Sequence, residues 1–193
     1  MEAYAALDKA FLRWAPVPAV ELAKAHAIFR QRRVPAGTLL QLAGQSAEDV
    51  SFIVRGLTRI YYVGERGSER TKGFRAEGEL VCAYSAALGD APSRQFIEAL
   101  EPCDLLTARR SAFVRLCDGH PTWHSMLAAM TEQLFLDEER RHRALLTEDA
   151  TTRYRTFLAE RGDWAARLTQ RQIAAYVGIS PEALSRIRRA RLT

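Results

Sequence analysis

The 193-residue chain has no apolar run approaching the length of about 18 residues that a bilayer span requires. Its first residues, MEAYAALDKAFLRWA, carry an acid at position 2 and lack the basic start and apolar block of a secretory leader, so the cytoplasm is the expected location. Cysteine is scarce. Cys82, Cys103 and Cys117 are too few and too widely spaced for a disulfide framework, and no C-x-x-C pair offers a metal site. An iron–sulfur cluster needs about four thiolates. The three are expected to be small buried hydrophobes. The four histidines are equally sparse. His120 and His124 stand at i, i+4, but Pro121 suits a first helical turn, which puts His120 at a cap, and no third ligand is evident. No metal and no certain cofactor is expected. No nucleophile–base–acid set and no phosphate loop is visible, so an enzyme is not expected either.

The richest signals lie in residues 168–193, LTQRQIAAYVGISPEALSRIRRARLT. Thr169 and Gln172 form a capping-box pair at the start of one short helix. Ile173, Ala174 and Val177 give it one apolar face, and Gly178 ends it. Ser180 caps a second helix whose first position is Pro181 and whose apolar pair is Leu184 and Ile187. This spacing predicts a helix-turn-helix with the second helix presented outward. Glu182, Ser185, Arg186 and Arg189 fall on the outward stripe; Arg pairs with guanine and Glu accepts from the cytosine amino group in a major groove. Residues 167–193 hold six Arg (Arg167, Arg171, Arg186, Arg188, Arg189 and Arg191) against the single acid Glu182, a net +5 that equals the charge of the whole chain. The remainder, with 22 basic and 22 acidic side chains, sums to zero. A basic excess confined to one small module points to a polyanionic partner.

The rest of the chain divides by period. Residues 2–14 and 18–29 read as helices interrupted by Pro16 and Pro18. From Phe29 to Ser111 about eight short β-rich runs alternate with turn residues, which predicts an antiparallel roll, sandwich or barrel without a strong helix inside it. Within it Gly78, Glu79, Leu80, Ser93 and Arg94 are the candidate effector-binding residues. Gly lets a backbone N–H approach an anion, Glu bridges vicinal hydroxyls and Arg pairs with phosphate. A surface loop has the same composition.

Ser111 to Cys117 reads as a short helix, and His120-Pro121 opens one that runs to about Leu146. Trp123, Leu127, Met130 and Leu134 fall at alternating spacings of 4 and 3, a seam suited to a second copy. Roughly 26 helical residues span about 39 Å, more than a domain of this size covers. The charged tract from Asp137 to Arg143 is expected to be solvated, with pairs such as Asp137–Arg141 and Glu139–Arg143. Thr147 is read as a cap and domain boundary, and the helix after it is expected to stop at Gly162. The expected domains are a sensor over 1–118, a long dimerisation helix over 119–147 and a DNA-binding domain over 148–193.

With AGQSAEDVSFIVRGLTRIYYV, GEL, PSRQFIEAL and LTQRQIAAYVGISPEALSRIRR in this order, the chain resembles the catabolite-activator (Crp/Fnr) family of bacterial transcription regulators, from about Ile28 to Arg189. The resemblance implies an α+β fold: an N-terminal cyclic-nucleotide-binding-type β-roll, a long dimerisation helix and a C-terminal helix-turn-helix. It implies a homodimeric, sequence-specific regulator whose partners are double-stranded DNA with a pseudo-palindromic site, a second copy and RNA polymerase. Glu182 and Arg186 match the base-reading positions and Ser180 a phosphate contact; Thr169, Gln170, Arg188 and Arg189 are the implied backbone contacts. Two departures stand out. Ser93 occupies the place of the family's phosphate-binding Arg, and Arg94 comes one residue later, which in a strand sends the side chain to the opposite face. Cyclic AMP is thereby disfavoured, and the roll holds another ligand or none. The chain also stops within a few residues of the recognition helix, without the β-hairpin wing of many members. A sensor acting through protein contacts instead of DNA is the alternative.

Overall fold

Phe29 marks the point where helical periodicity gives way to alternation, and the backbone changes with it. A computed structural model describes residues 2–89 and 91–190. Asp90 in the Gly89–Pro92 loop and Arg191 of the basic tail lie outside the described residues. The chain forms two compact units, one of residues 1–62 and 73–133, the other of residues 63–72 and 134–193.

The first unit opens with α1 (Glu2–Leu12) and α2 (Ala19–Ile28). Strands β1 (Arg30–Val34), β2 (Leu39–Gln41), β3 (Asp49–Arg55), β4 (Thr58–Val63), β5 (Glu69–Arg75), β6 (Leu80–Val81), β7 (Phe96–Ala99) and β8 (Cys103–Arg109) come next. They make two four-stranded sheets, ordered β1-β8-β3-β6 and β2-β7-β4-β5, with antiparallel pairing between β1 and β8, β3 and β8, and β4 and β7. This is the roll expected from the short alternating runs. One difference is a helix inside it. The expected strand over residues 80–84 ends after Val81, and α3 (Tyr84–Gly89) succeeds it. Helices α4 (Arg110–Asp118) and the start of α5 (Pro121–Thr147) complete the unit.

Two apolar clusters hold it. Val34, Ile53, Ile60, Val81, Ile97, Ala99 and Leu105 form one. The other joins Leu7, Phe11 and Phe29 to Phe52 and Leu106 of the sheet, Phe113 and Leu116 of α4, and Trp123 and Met126 of α5. The Trp123 ring meets Phe11 edge-on at 5.2 Å, and its Nε1–H donates to Glu21 Oε2 at 3.0 Å. Glu21 is buried, and bonds from Lys24 and then Trp123 hold its carboxylate below the usual range. The charge is therefore retained in a place where an unpartnered carboxylate would be strongly disfavoured.

The second unit contains the rest of α5, α6 (Ala150–Ala165), α7 (Gln170–Val177), α8 (Pro181–Ala190) and the tip of the β4–β5 hairpin. Tyr154, Phe157, Leu168, Ile173, Ala174, Val177 and Leu184 are buried in it. Its joints differ from expectation in three respects. Asp149, not Thr147, caps α6, accepting from Thr152 N at 2.7 Å, while the Thr147 hydroxyl donates back to Arg143 O within α5. Both side chains are capable caps; the carboxylate wins because it meets the positive end of the new helix. Helix α6 does not stop at Gly162 but passes a distortion at Arg161 (φ −137°, ψ 30°) and continues to Ala165. In the charged tract, Asp137 pairs with Arg140 and Arg143 reaches Glu148 at 3.9 Å, whereas Arg141 leaves the solvated tract altogether.

Cys103 and Cys117 are buried and Cys82 is partly exposed. Burial, with Asp118 adding a smaller effect, pushes the Cys117 thiol up to about 12. At pH 8 its reactive thiolate is then roughly one part in ten thousand. A thiol reagent at that pH is expected to modify Cys82 in the native protein, and Cys103 and Cys117 only after denaturation. Rapid native labelling of Cys117, mapped by mass spectrometry, would contradict this packing.

Candidate nucleic-acid interface

Each turn of the helix-turn-helix is closed by the residue its sequence suggested. Thr169 Oγ1 accepts from Gln172 N at 3.2 Å, and Gln172 Oε1 accepts from Thr169 N at 2.8 Å, completing the capping box of α7. Gly178 takes the left-handed conformation at φ 82°, and both its N–H and that of Ile179 return to Ala174 O. Ser180 Oγ accepts from Ala183 N at 3.2 Å and starts α8. Leu184 is fully buried on the inner face of that helix, beside the half-buried Ile187.

The opposite face carries the candidates. Thr169, Gln170, Ser180, Glu182, Arg186, Arg188 and Arg189 are exposed and Ser185 is half-buried. Glu182, Ser185, Arg186 and Arg189 share one stripe by helical spacing. Arg189 donates to Ser185 Oγ at 3.4 Å. A hydrogen bond from the Ser180 hydroxyl, then the backbone at Glu182 and the nearby Arg186 charge, hold the Glu182 carboxylate below the usual range. At neutral pH Glu182 is an ionised acceptor one helical turn from Arg186. Arg188 and Arg189 also lie in the last turn of α8, where a cation complements the negative helix end.

Sequence reasoning missed what holds the pair of helices. Arg141 Nη2 donates to Tyr176 O at 2.9 Å and to Thr71 O in the β4–β5 hairpin at 3.0 Å. The guanidinium also lies 3.9 Å over the Tyr176 ring. Arg153 Nε donates to Val177 O at 2.9 Å, and its Nη1 reaches Glu148 O. Two cations from different helices thus serve the last carbonyls of α7. The residues sat in plain view as Arg in charged runs, but their carbonyl partners are remote in sequence.

In the roll the effector candidates do not converge. Gly78 and Glu79 form the turn after β5, where Glu79 Oε2 accepts from Ala76 N at 2.8 Å, and Leu80 begins β6. Ser93, Gln95, Ile97 and Ala99 are buried at alternate positions, facing the roll interior, whereas Arg94 is exposed. Ser93 Oγ donates to Gln95 O and accepts from Gln95 N, both at 3.0 Å. The Gln95 amide donates to Tyr62 Oη at 2.8 Å and Ser85 Oγ at 3.4 Å. Ser93 and Gln95 are buried, their partners Tyr62 and Ser85 are exposed, and Arg94, the expected cation, is exposed, while Arg59 of β4 is buried. Arg94 is therefore not placed to meet a cyclic phosphate inside the roll.

Of the expected seam on α5, Trp123 is corrected, while Leu127, Met130 and Leu134 are half-buried. Trp123 is 0% exposed in the core of its own chain, and Leu127 and Met130 pack against that same core, so Trp123 is closed to a second copy. The most exposed apolar side chains of α5 are Phe135, Leu136, Leu145 and Leu146, with Phe135 66% and Leu146 74% exposed. The signal for a second apolar face was the run Leu134-Phe135-Leu136, since consecutive helical residues point about 100° apart.

Residues 31–120 match the family profile of the cyclic nucleotide-binding domain. No curated protein matches the chain. Among solved structures, the c-di-GMP-responsive global regulator CLP of Xanthomonas campestris superimposes with a TM-score of 0.73 at 18% identity, covering 90% of this chain and 91% of that one. FixK2 of Bradyrhizobium japonicum gives 0.75 at 22% identity over 84% of each chain. A protein from Eubacterium rectale, named as a transcriptional regulator of the Crp/Fnr family, gives 0.73 at 16% identity, covering 90% and 83%. Likeness at these identities is likeness of fold.

A Cβ at Gly178 would sit 3.2 Å from Leu145 Cδ2 in a backbone conformation unfavourable to L side chains. Gly178→Ala is expected to destabilise the second unit by about 1–2 kcal/mol through the left-handed backbone alone. Denaturant melts monitored at Trp164 would check this; an unchanged midpoint would contradict the turn geometry.

Proposed function

From the premise that the chain has the fold of the Crp/Fnr family, with a cyclic nucleotide-binding-type domain over residues 31–120, we propose that it is a sequence-specific DNA-binding transcription regulator that works as a homodimer. The observation that carries the reading is that Glu182 and Arg186, an acceptor and a donor one helical turn apart, are exposed on α8, whose other face buries Leu184. In a major groove Arg186 reads guanine and Glu182 reads cytosine. Ser180, Thr169, Gln170, Arg188 and Arg189 engage the sugar–phosphate backbone, and Ser185 lies between the readers. Exposed Thr169 and Ser180 hydroxyls at helix starts suit phosphate oxygens.

Two copies meet along α5 through Phe135 and Leu136 and the apolar residues towards its C-terminal end. Their recognition helices then enter successive major grooves about 34 Å apart on a roughly palindromic site. In this reading the roll acts without a cyclic nucleotide, since Arg94 is exposed and Ser93 is bonded to Gln95. Selection of bound fragments from a genomic DNA pool, with and without cyclic nucleotides, tests the reading. An inverted-repeat site recovered equally under both conditions is expected; recovery without sequence preference would refute it.

Arg186→Ala is expected to lose about 1–3 kcal/mol on the selected site and to relax preference at one base pair of each half-site. Titrations against the site and its single-base variants measure this. Phe135→Glu places a charge in the proposed dimer contact and is expected to shift the protein from dimer to monomer in sedimentation experiments. A dimer of unchanged affinity would move the interface elsewhere.

A further inference from the structure

The helix-turn-helix is held by one side chain that the DNA-reading role does not require. Arg141 lies on α5, within the second unit, and none of its contacts is to the outward stripe of α8. Its Nη2 divides two hydrogens between carbonyls far apart in sequence: Tyr176 O, at the C-terminal end of α7, and Thr71 O, in the β4–β5 hairpin. Its flat face stacks on the Tyr176 ring at 3.9 Å, and that ring in turn packs 5.4 Å from Phe157 of α6. The hairpin has a second tie to α5 through Lys72 and Glu138 at 3.6 Å. One guanidinium therefore touches a strand hairpin, the long helix and the first helix of the DNA-binding pair. From Tyr176 only Val177, Gly178, Ile179 and Ser180 separate this contact from the first turn of α8.

We propose that Arg141 is a positioning residue for DNA reading: it pins the C-terminal end of α7 to the hairpin tip and α5, and so fixes the direction in which α8 presents Glu182 and Arg186. The inference rests on the DNA-reading function proposed above. A guanidinium suits the task because it is planar, always charged and able to donate in two directions while stacking; an ammonium has the charge and the donors but no face. The carbonyls at a helix end also carry partial negative charge, so the cation is held where it stands.

The test compares Arg141→Met, Arg141→Lys and, for loss of the same charge from the exposed tract, Arg140→Met. Each protein is titrated with the selected DNA site and with a scrambled duplex, and amide hydrogen exchange of the free protein is measured in the hairpin tip and in Tyr176–Ile179. Arg141→Met is expected to lower the ratio of specific to non-specific affinity about tenfold. Arg140→Met is expected to weaken both affinities together and leave their ratio unchanged. Arg141→Lys is expected to restore the non-specific affinity but not the full ratio. Exchange should rise at both contact segments in Arg141→Met, with the melting transition still cooperative. A selective wild type whose ratio survives in Arg141→Met overturns the inference even if exchange rises, because the contact would then be structural only. Unchanged exchange in Arg141→Met overturns it as well. A wild type with no preference for any site would refute the DNA-reading function itself, a result separable from the other two.

Discussion

A helix that ends inside a protein leaves carbonyls that must find donors, and the end of α7 is the place where this requirement shapes the second unit. Gly178 turns back to Ala174, Arg141 takes Tyr176 O and Arg153 takes Val177 O. Removing these donors would leave partly buried carbonyls short of a partner, which is unfavourable by part of the desolvation of each. The same contacts that terminate α7 thus also orient α8. Gly178 can approach Leu145 closely only because it has no side chain, so α7 is set against α5 by shape as well as by charge.

Much of this was legible in the chain. Thr169 with Gln172, Gly178, and Ser180 with Pro181 are local devices, each acting within a few residues, and local devices are what sequence displays. The alternation from Phe29 onwards likewise exposed the roll. What stayed hidden was of two kinds. Arg141 and Arg153 have partners 35 and 24 residues away in the chain, and an Arg in a charged run looks the same whether it is solvated or bonded to a carbonyl. Thr147 and Asp149 are both good caps two residues apart, and only the path of the backbone separates them. Helix α3, six residues long, is too short for a periodicity to declare itself.

Helix α5 required more than a single stripe could reveal. Its early turns belong to the core, with Trp123 bonded to the buried carboxylate of Glu21 across 102 residues of chain. Its later turns expose Phe135 and Leu136 on directions that the first seam does not share. A heptad-like pattern names the face that is most regular, and here that face is fully covered at Trp123 and half-buried at Leu127, Met130 and Leu134. The less regular remainder is what a second copy would meet.

The hydrogen-bonded set of Ser93, Gln95, Tyr62 and Ser85 has a consequence for what information reaches the DNA. A metabolite shifts an equilibrium only through differential affinity for its two states, and a ligand entering at Ser93 and Gln95 would have to displace these bonds. For the dimer proposed above, the amount of protein is itself a variable. Below the dimer dissociation constant, dimer concentration follows the square of total concentration, so a doubling in synthesis becomes about a fourfold rise in the species with two recognition helices. A regulator that pairs in this way responds steeply to its own abundance.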